Sequence, residues 1–293
     1  MPILMIDVLP ARAPESVDLD ATIHRFDSAA PTLDVRDLGA SRGDGVFETL
    51  GVVGGHPQAV DAHVARLVNS AALLELPEPN VAQWRRAIEV AAASLPTDRQ
   101  GGIKVVLTRG VEGTNTPTGW IVATASSSDF AERETGVRVV TLDRGYASDV
   151  AARAPWLLPG AKTLSYAVNM AALREAHRRG ADDVIFVSSD GFVMEAPTAT
   201  VILRFGDSIV TPRTDIGILP GTSQLSVFAF AQARGLRTQE ALVPVADLGS
   251  ADAAWLVSSV RLAAPITAID DVPKPIDLQL TREMNAALLA RED

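Results

Sequence analysis

Chemistry that needs a primary amine has few places to occur in this chain. Of its 26 Lys and Arg residues, only Lys104, Lys162 and Lys274 are lysines. Lys162 lies in Pro159-Gly160-Ala161-Lys162-Thr163-Leu164-Ser165-Tyr166, just ahead of a segment with helical pattern. Functional groups concentrate at such junctions. An amine there can condense with an aldehyde cofactor if burial or neighbouring charge lowers its pKa. A surface lysine resting its stem on apolar neighbours is the plain alternative. Lys104 reads as mid-strand and solvated, with Val106 and Thr108 on its face. Lys274, between Pro273 and Pro275, reads as part of an exposed loop.

Glu195 closes the apolar run Phe192-Val193-Met194 and precedes Ala196-Pro197. A carboxylate at the end of a buried strand needs a cationic or hydrogen-bonding partner. A protonated pyridine nitrogen would serve, and so would a hairpin-end salt bridge. Leu219-Pro220-Gly221-Thr222-Ser223 runs into the apolar segment Leu225 to Ala233. Free N–H groups at a helix start suit a phosphate, although Thr222 or Ser223 could simply cap the helix. Arg66 lies off the apolar stripe of its helix and could meet a phosphate bidentately or remain solvated. Arg109 alternates with Ile103, Val105 and Leu107, so it is expected on the apolar face. There it would meet a substrate carboxylate or form a structural ion pair. His24, His56, His63 and His177 have no metal-ligand spacing. Gly39 to Gly45 lacks a nucleotide-loop spacing, and no GxSxG elbow occurs.

The elements that must position these residues read as α+β in both halves. Strands are expected at Gly45 to Val53, Ile103 to Thr108, Trp120 to Ala125 and Val137 to Leu142. Further strands are expected at Asp183 to Ser188, Phe192 to Glu195, Thr200 to Phe205, Ser208 to Thr211 and Trp255 to Val260. Helices are expected at Asp61 to Leu76, capped by Asp61 and ended by Pro77, and at Asn80 to Leu95. Others are Ser165 to Arg179, Ser223 to Arg234, and Thr281 to Arg291 with Thr281 as cap. Polar residues from Ser126 onward suggest a connection. The division is a smaller N-terminal domain, 1–128, a linker, 129–136, and a larger C-terminal domain, 137–293.

A net charge of −10 leaves no basic excess for general nucleic-acid binding. No cysteine is present, so disulfides, thiolate metal sites and cysteine nucleophiles are excluded. Met1 to Asp20 shows no signal-peptide pattern, and no apolar run reaches membrane-span length. A cytoplasmic protein is expected.

Several segments together resemble class IV aminotransferases and 4-amino-4-deoxychorismate lyases. They are Arg42-Gly43-Asp44-Gly45-Val46-Phe47-Glu48-Thr49, His63-x-x-Arg66-Leu67 and Thr108-Arg109-Gly110. The set continues with Lys162 to Tyr166, Asp190-Gly191 through Glu195, Leu219 to Ser223, and Ser258-Ser259-Val260-Arg261. The resemblance implies a two-domain fold-type IV enzyme with pyridoxal 5′-phosphate at the domain interface, usually a homodimer. It implies that Lys162 carries the cofactor as a Schiff base and moves protons. Glu195 would pair with the pyridine nitrogen, and Tyr166 would approach the 3-oxygen. Arg66, Thr222, Ser223 and Ser259 would hold the phosphate. Arg109, Arg261 and Arg42 are implied for anionic groups of the substrate. Two positions depart from the pattern: Ser41-Arg42-Gly43 replaces an aromatic-Gly pair, and Ser223-Gln224 replaces Thr-Arg.

Gly43-Asp44-Gly45 and Ser258 to Arg261 look more like the lyase branch, which releases pyruvate and 4-aminobenzoate, than the branched-chain branch. Gly43-Asp44-Gly45 also fits D-amino acid transaminases, and Tyr166 fits the branched-chain group. A non-catalytic scaffold for an anionic metabolite is the reading from another class.

Overall fold

The structure is a computed structural model that describes residues 2–27, 29 and 33–291. The outermost expected domain ends, Met1 and residues 292–293, lie outside the described residues. The chain forms two compact units. The first comprises Met1–Ser127, Ala161–Tyr166 and Arg291–Asp293; the second comprises Ser128–Gly160 and Ala167–Ala290. Lys162, expected in the C-terminal domain, therefore belongs to the first unit.

In the first unit, strands β1 (Ile3–Ile6), β2 (Ile23–Phe26), β3 (Gly45–Val53), β4 (His56–Pro57), β5 (Gly101–Thr108) and β6 (Thr118–Ala125) form one antiparallel sheet. Its order is β2-β1-β6-β5-β3-β4. Helix α1 (Leu38–Arg42) precedes β3, and helices α2 (Val60–Leu73) and α3 (Val81–Ala92) follow β4. Leu50, Leu67, Trp84, Ile88, Ile103 and Ile121 are fully buried in this unit. Alternation places Val46, Glu48, Leu50 and Val52 on one row of β3, each almost fully buried.

Helix α2 is shorter than the sequence suggests. Ala59, with φ of 51°, precedes it, and Asp61 makes no cap. It stops before Pro77 because Glu75, also at φ 51°, turns the chain and Leu76 N–H donates to Ala71 O at 2.9 Å. This is a Schellman-type end without glycine. Asn80 caps α3 by accepting from Gln83 N–H at 3.0 Å.

The second unit holds β7 (Val137–Asp143), β8 (Asp183–Val187), β9 (Thr200–Phe205), β10 (Ser208–Pro212), β11 (Arg237–Ala241), β12 (Ala253–Ser258), β13 (Leu262–Ile269) and β14 (Val272–Pro273). They pair as β11-β10-β9-β12-β13-β7-β8, with β14 on β13. Its helices are α4 (Glu132–Thr135), α5 (Val150–Arg153), α6 (Ala167–Arg178), α7 (Thr222–Ala233) and α8 (Leu278–Leu289). Trp255 on β12 packs with Val227 of α7 and Met284 of α8, while Leu256 joins a separate cluster with Val201 and Ile266. Such alternation requires cover on both faces of the sheet.

Several expectations change here. The expected linker, 129–136, carries α4, and Arg133 of that helix donates to Val260 O and Arg261 O. Phe192 to Glu195 is not a strand; single bridges join Val193 to Val187 and Phe192 to Pro244. Thr281 does not cap α8. Asp277 does, accepting from Leu280 N–H, while Thr281 is buried and accepts from Trp255 Nε1 at 2.7 Å. Among the described residues no helix is long and apolar enough to cross a membrane.

The largest correction concerns Lys274, which is only 8% exposed. Its ammonium donates to the carbonyls of Leu248, Gly249 and Ala251 at 2.9, 3.0 and 2.6 Å. Burial lowers its pKa, against the pull of Asp252. Removing the amine leaves three carbonyls short of a donor. Lys274→Met is expected to destabilise the protein by about 3 kcal/mol, read as a lower urea midpoint; an unchanged midpoint contradicts this role.

Candidate functional site

In the first unit, residues 162–164 add to the free side of β3. Phe47 N–H donates to Lys162 O at 3.0 Å, Leu164 N–H donates to Gly45 O at 2.8 Å, and Val46 bridges Thr163. Lys162 N–H donates to Ser70 Oγ of α2 at 3.1 Å. Glycines permit this close approach. A Cβ on Gly43, whose φ is 70°, would lie 2.7 Å from Ser165 Oγ. One on Gly45 would lie 2.8 Å from Leu164 Cδ1. The pairing makes Lys162 the cross-strand neighbour of Phe47, so both side chains share a sheet face. Lys162 Nζ lies 4.4 Å from the Phe47 ring centroid and 5.9 Å from that of Tyr166. The two rings meet edge to face at 5.4 Å.

On the opposite face of β3, Glu48 occupies an apolar row at 1% exposure. Arg66 Nε and Nη2 donate to its two carboxylate oxygens at 2.8 and 2.7 Å, and His63 Nδ1 lies 2.7 Å from Oε2. Burial alone would raise the Glu48 pKa. The charge and hydrogen bonds of Arg66, with those of His63, overcome it and hold the value at about 2. Burial lowers the His63 pKa against the pull of Glu48, and because an ionised carboxylate can only accept, the Nδ1 contact is a donation from His63. Arg66, expected off the apolar stripe, is 9% exposed and fixed in orientation by this pair. Glu48, His63 and Ser70 received no role from the sequence. The available signal was a polar row on α2, His63, Arg66 and Ser70, at helical spacing beside the apolar one.

Arg109 lies just beyond β5, so strand alternation does not extend to it, and it is part-exposed rather than on the apolar face. Its guanidinium donates to both Asp44 oxygens, to Leu74 O and to Glu75 O. It therefore caps the C-terminal carbonyls of α2 and clamps the Asp44 turn to them. Arg42 is exposed and pairs with Glu112 at 3.3 Å. Neither geometry presents a free guanidinium to a substrate.

In the second unit, Gly221 leads into α7, and no side chain caps that helix. A Cβ at Gly221 would run into Thr200 Oγ1. Thr222 Oγ1 lies 3.2 Å from Ser259 Oγ, which sits in the turn after β12. Ser223 is 2% exposed and its Oγ is buried without a hydrogen-bond partner. An orphaned buried hydroxyl at a helix N-terminus, beside two more hydroxyls, fits a phosphate group. Gln224, also buried, reaches Glu240 at 3.4 Å. Arg133 braces the turn from beneath; burial pushes its pKa down to about 10, against Glu132.

Glu195 Oε2 accepts from Leu219 N–H at 3.1 Å, which ties the carboxylate to the segment before α7. Nearby Tyr146 accepts from Arg144 Nε at 3.1 Å. Burial, with the Glu195 charge adding to it, raises the Tyr146 pKa. Arg261 pairs with buried Asp183 at 2.9 Å, while its Nε and Nη2 are buried without partners. Lys162, Arg66 and Tyr166 thus belong to the first unit, and Glu195, Thr222, Ser223, Ser259 and Arg261 to the second. Among the described residues no acidic or histidine group could hold a metal ion.

Comparison with known proteins matches residues 45–269 to the family described as amino-transferase class IV. A Mycobacterium tuberculosis protein named bifunctional aminodeoxychorismate lyase / D-amino acid transaminase is 44% identical over 264 residues, covering 87% of this chain and 91% of that protein. The fold IV-transaminase CpuTA1 of Curtobacterium pusillum superposes with a TM-score of 0.93 at 50% identity, covering 99% of this chain and 97% of that one. A hypothetical aminotransferase from Mycobacterium tuberculosis in its PLP-bound form gives 0.89 at 39% identity, covering 98% and 99%.

The charged cluster sets an acid limit. The unfolded chain binds protons at His63 below about 6.5 and at Glu48 below about 4.5, before the folded chain does. Stability is therefore expected to fall from about pH 6.5 downward and to keep falling toward pH 2. Glu48→Gln should cost about 3 kcal/mol at neutral pH and flatten the fall below pH 4.5. Urea melts across pH check both, and an unaltered acid limb would contradict the assignment.

Proposed function

Because the chain belongs to the class IV aminotransferase family, a family of pyridoxal-phosphate enzymes, we propose that it is a 4-amino-4-deoxychorismate lyase whose cofactor is carried on Lys162. The lyase reading rests on the 44%-identical relative whose name includes that activity. The residue assignment rests above all on the buried, unpartnered Ser223 hydroxyl at the start of α7.

Bound pyridoxal phosphate supplies an aldehyde that condenses with amines and a cationic ring that withdraws electrons. Ser223, Thr222 and Ser259 would hold its phosphate, and the resemblance assigns Arg66, whose guanidinium plane Glu48 fixes, to the same group. Glu195, oriented by Leu219 N–H, would keep the ring nitrogen protonated, and Tyr166 would approach the 3-oxygen. Lys162 would carry the cofactor and, with the substrate amine bound, its Nζ would take the proton from the carbon bearing that amine. Loss of the enolpyruvyl ether gives pyruvate, and the ring becomes 4-aminobenzoate. Arg261, with two buried donor nitrogens unpartnered, is the arginine for a substrate carboxylate. A homodimer in the cytoplasm completes the reading on resemblance.

A D-amino acid transaminase is the second reading, favoured by the other half of that relative's name and by the likeness to CpuTA1. In that case Lys162 would hand the proton it holds back instead of permitting elimination.

Aminodeoxychorismate supplied without any 2-oxo acid separates the two. Equal yields of pyruvate and 4-aminobenzoate over many turnovers support the lyase. A stall after one turnover, relieved by 2-oxoglutarate with a D-amino acid, supports the transaminase. Purified protein should be yellow and Lys162→Ala should lose that band; a colourless wild type that ignores added cofactor contradicts both readings. Glu195→Ala is expected to lower kcat by at least about a hundredfold while cofactor occupancy falls far less.

A further inference from the structure

The sheet face that carries Lys162 holds a second amine. Strand register pairs Thr49 with Lys104 and Phe47 with Val106. Phe47 and Thr49 point to the same face of β3, and Lys104 and Val106 to the same face of β5. Lys104 is therefore the diagonal neighbour of Phe47 on one side, as Lys162 is its direct neighbour on the other. Lys104 Nζ lies 4.8 Å from the Phe47 centroid, against 4.4 Å for Lys162. The two nitrogens can be no farther apart than the sum of those distances.

The Lys104 side chain is exposed, and its ammonium has no hydrogen bond or ion pair to any described residue. Many arginines have found carboxylates, from Arg36 with Asp34 to Arg282 with Glu134. Lys274 is occupied by three carbonyls. Of the three lysines, Lys104 is left as an unspent cation within a side chain's length of the reacting amine. The ring of Phe47 holds the ammonium near that amine without neutralising it.

We propose that Lys104 is a substrate-binding residue, taking a carboxylate of the molecule whose amine reacts at Lys162. This rests on the function proposed above and adds a cation that the sequence assigned to solvent. An ammonium accepts a carboxylate as a point charge, without the fixed geometry of an arginine. It therefore tolerates substrates whose carboxylates sit at somewhat different angles from the amine.

The test uses the cofactor-loaded protein and its Lys104→Met, Lys104→Gln and Lys104→Arg variants, with unreactive succinate titrated calorimetrically as the probe. Met and Gln are expected to weaken succinate binding by about tenfold or more, and Arg to restore it to within about threefold. Cofactor occupancy, read from the visible band, should be retained in all three. For a carboxylate-bearing amine, KM should rise much more than kcat falls, and the loss should exceed that for an amine without a carboxylate. Equal succinate affinity in the wild type and the Met and Gln variants overturns the proposal and leaves Lys104 a cover for Phe47. Failure of the function reading shows separately, as a wild type that takes up no cofactor.

Discussion

Two backbone hydrogen bonds between residues 162–164 and β3, with a third from Lys162 N–H to Ser70, are the constraint on which the rest depends. They draw a short piece of chain, flanked on both sides by the second unit, into the sheet of the first. The pairing settles which face Lys162 occupies, because a strand that pairs through Thr163 and Val46 must send Lys162 to the side of Phe47. A one-residue slip would send the amine toward α2. The glycines at 43 and 45 allow this register, since a Cβ at either would press on residues 164–165.

The other face of β3 carries the electrostatic counterpart. A carboxylate in an apolar row is unfavourable alone. Here Arg66 and His63 compensate it, and in return Glu48 fixes the guanidinium in one plane. Breaking such a group leaves a buried charge unanswered, which is why its loss matters more than its formation gains. The strand that carries the neighbour of Lys162 on one face thereby fixes the Arg66 guanidinium from the other.

Much of this was legible in the sequence. The strand at Gly45–Val53 has the expected bounds, and the α+β class and the family followed from pattern and ordered motifs. What escaped was decided by contacts distant in sequence. Lys274 looked exposed because neighbouring prolines resemble loop punctuation, yet the carbonyls of 248, 249 and 251 enclose it. Arg109 looked like a buried strand residue because alternation was carried one position past the end of β5. Helix α2 looked longer because its end uses Glu75 where glycine is the usual signal. Glu48 and His63 were visible as motif letters, but their pairing with Arg66 needs the strand and helix in contact.

The proposed chemistry requires a covalent bond between the amine of Lys162 and pyridoxal phosphate. Borohydride reduction of the loaded protein, followed by peptide mass spectrometry, tests it directly, since only three lysines are available. A phosphopyridoxyl mass is expected on the peptide containing Lys162 and none on those containing Lys104 or Lys274. The label on either of those two, or on no lysine, would contradict it.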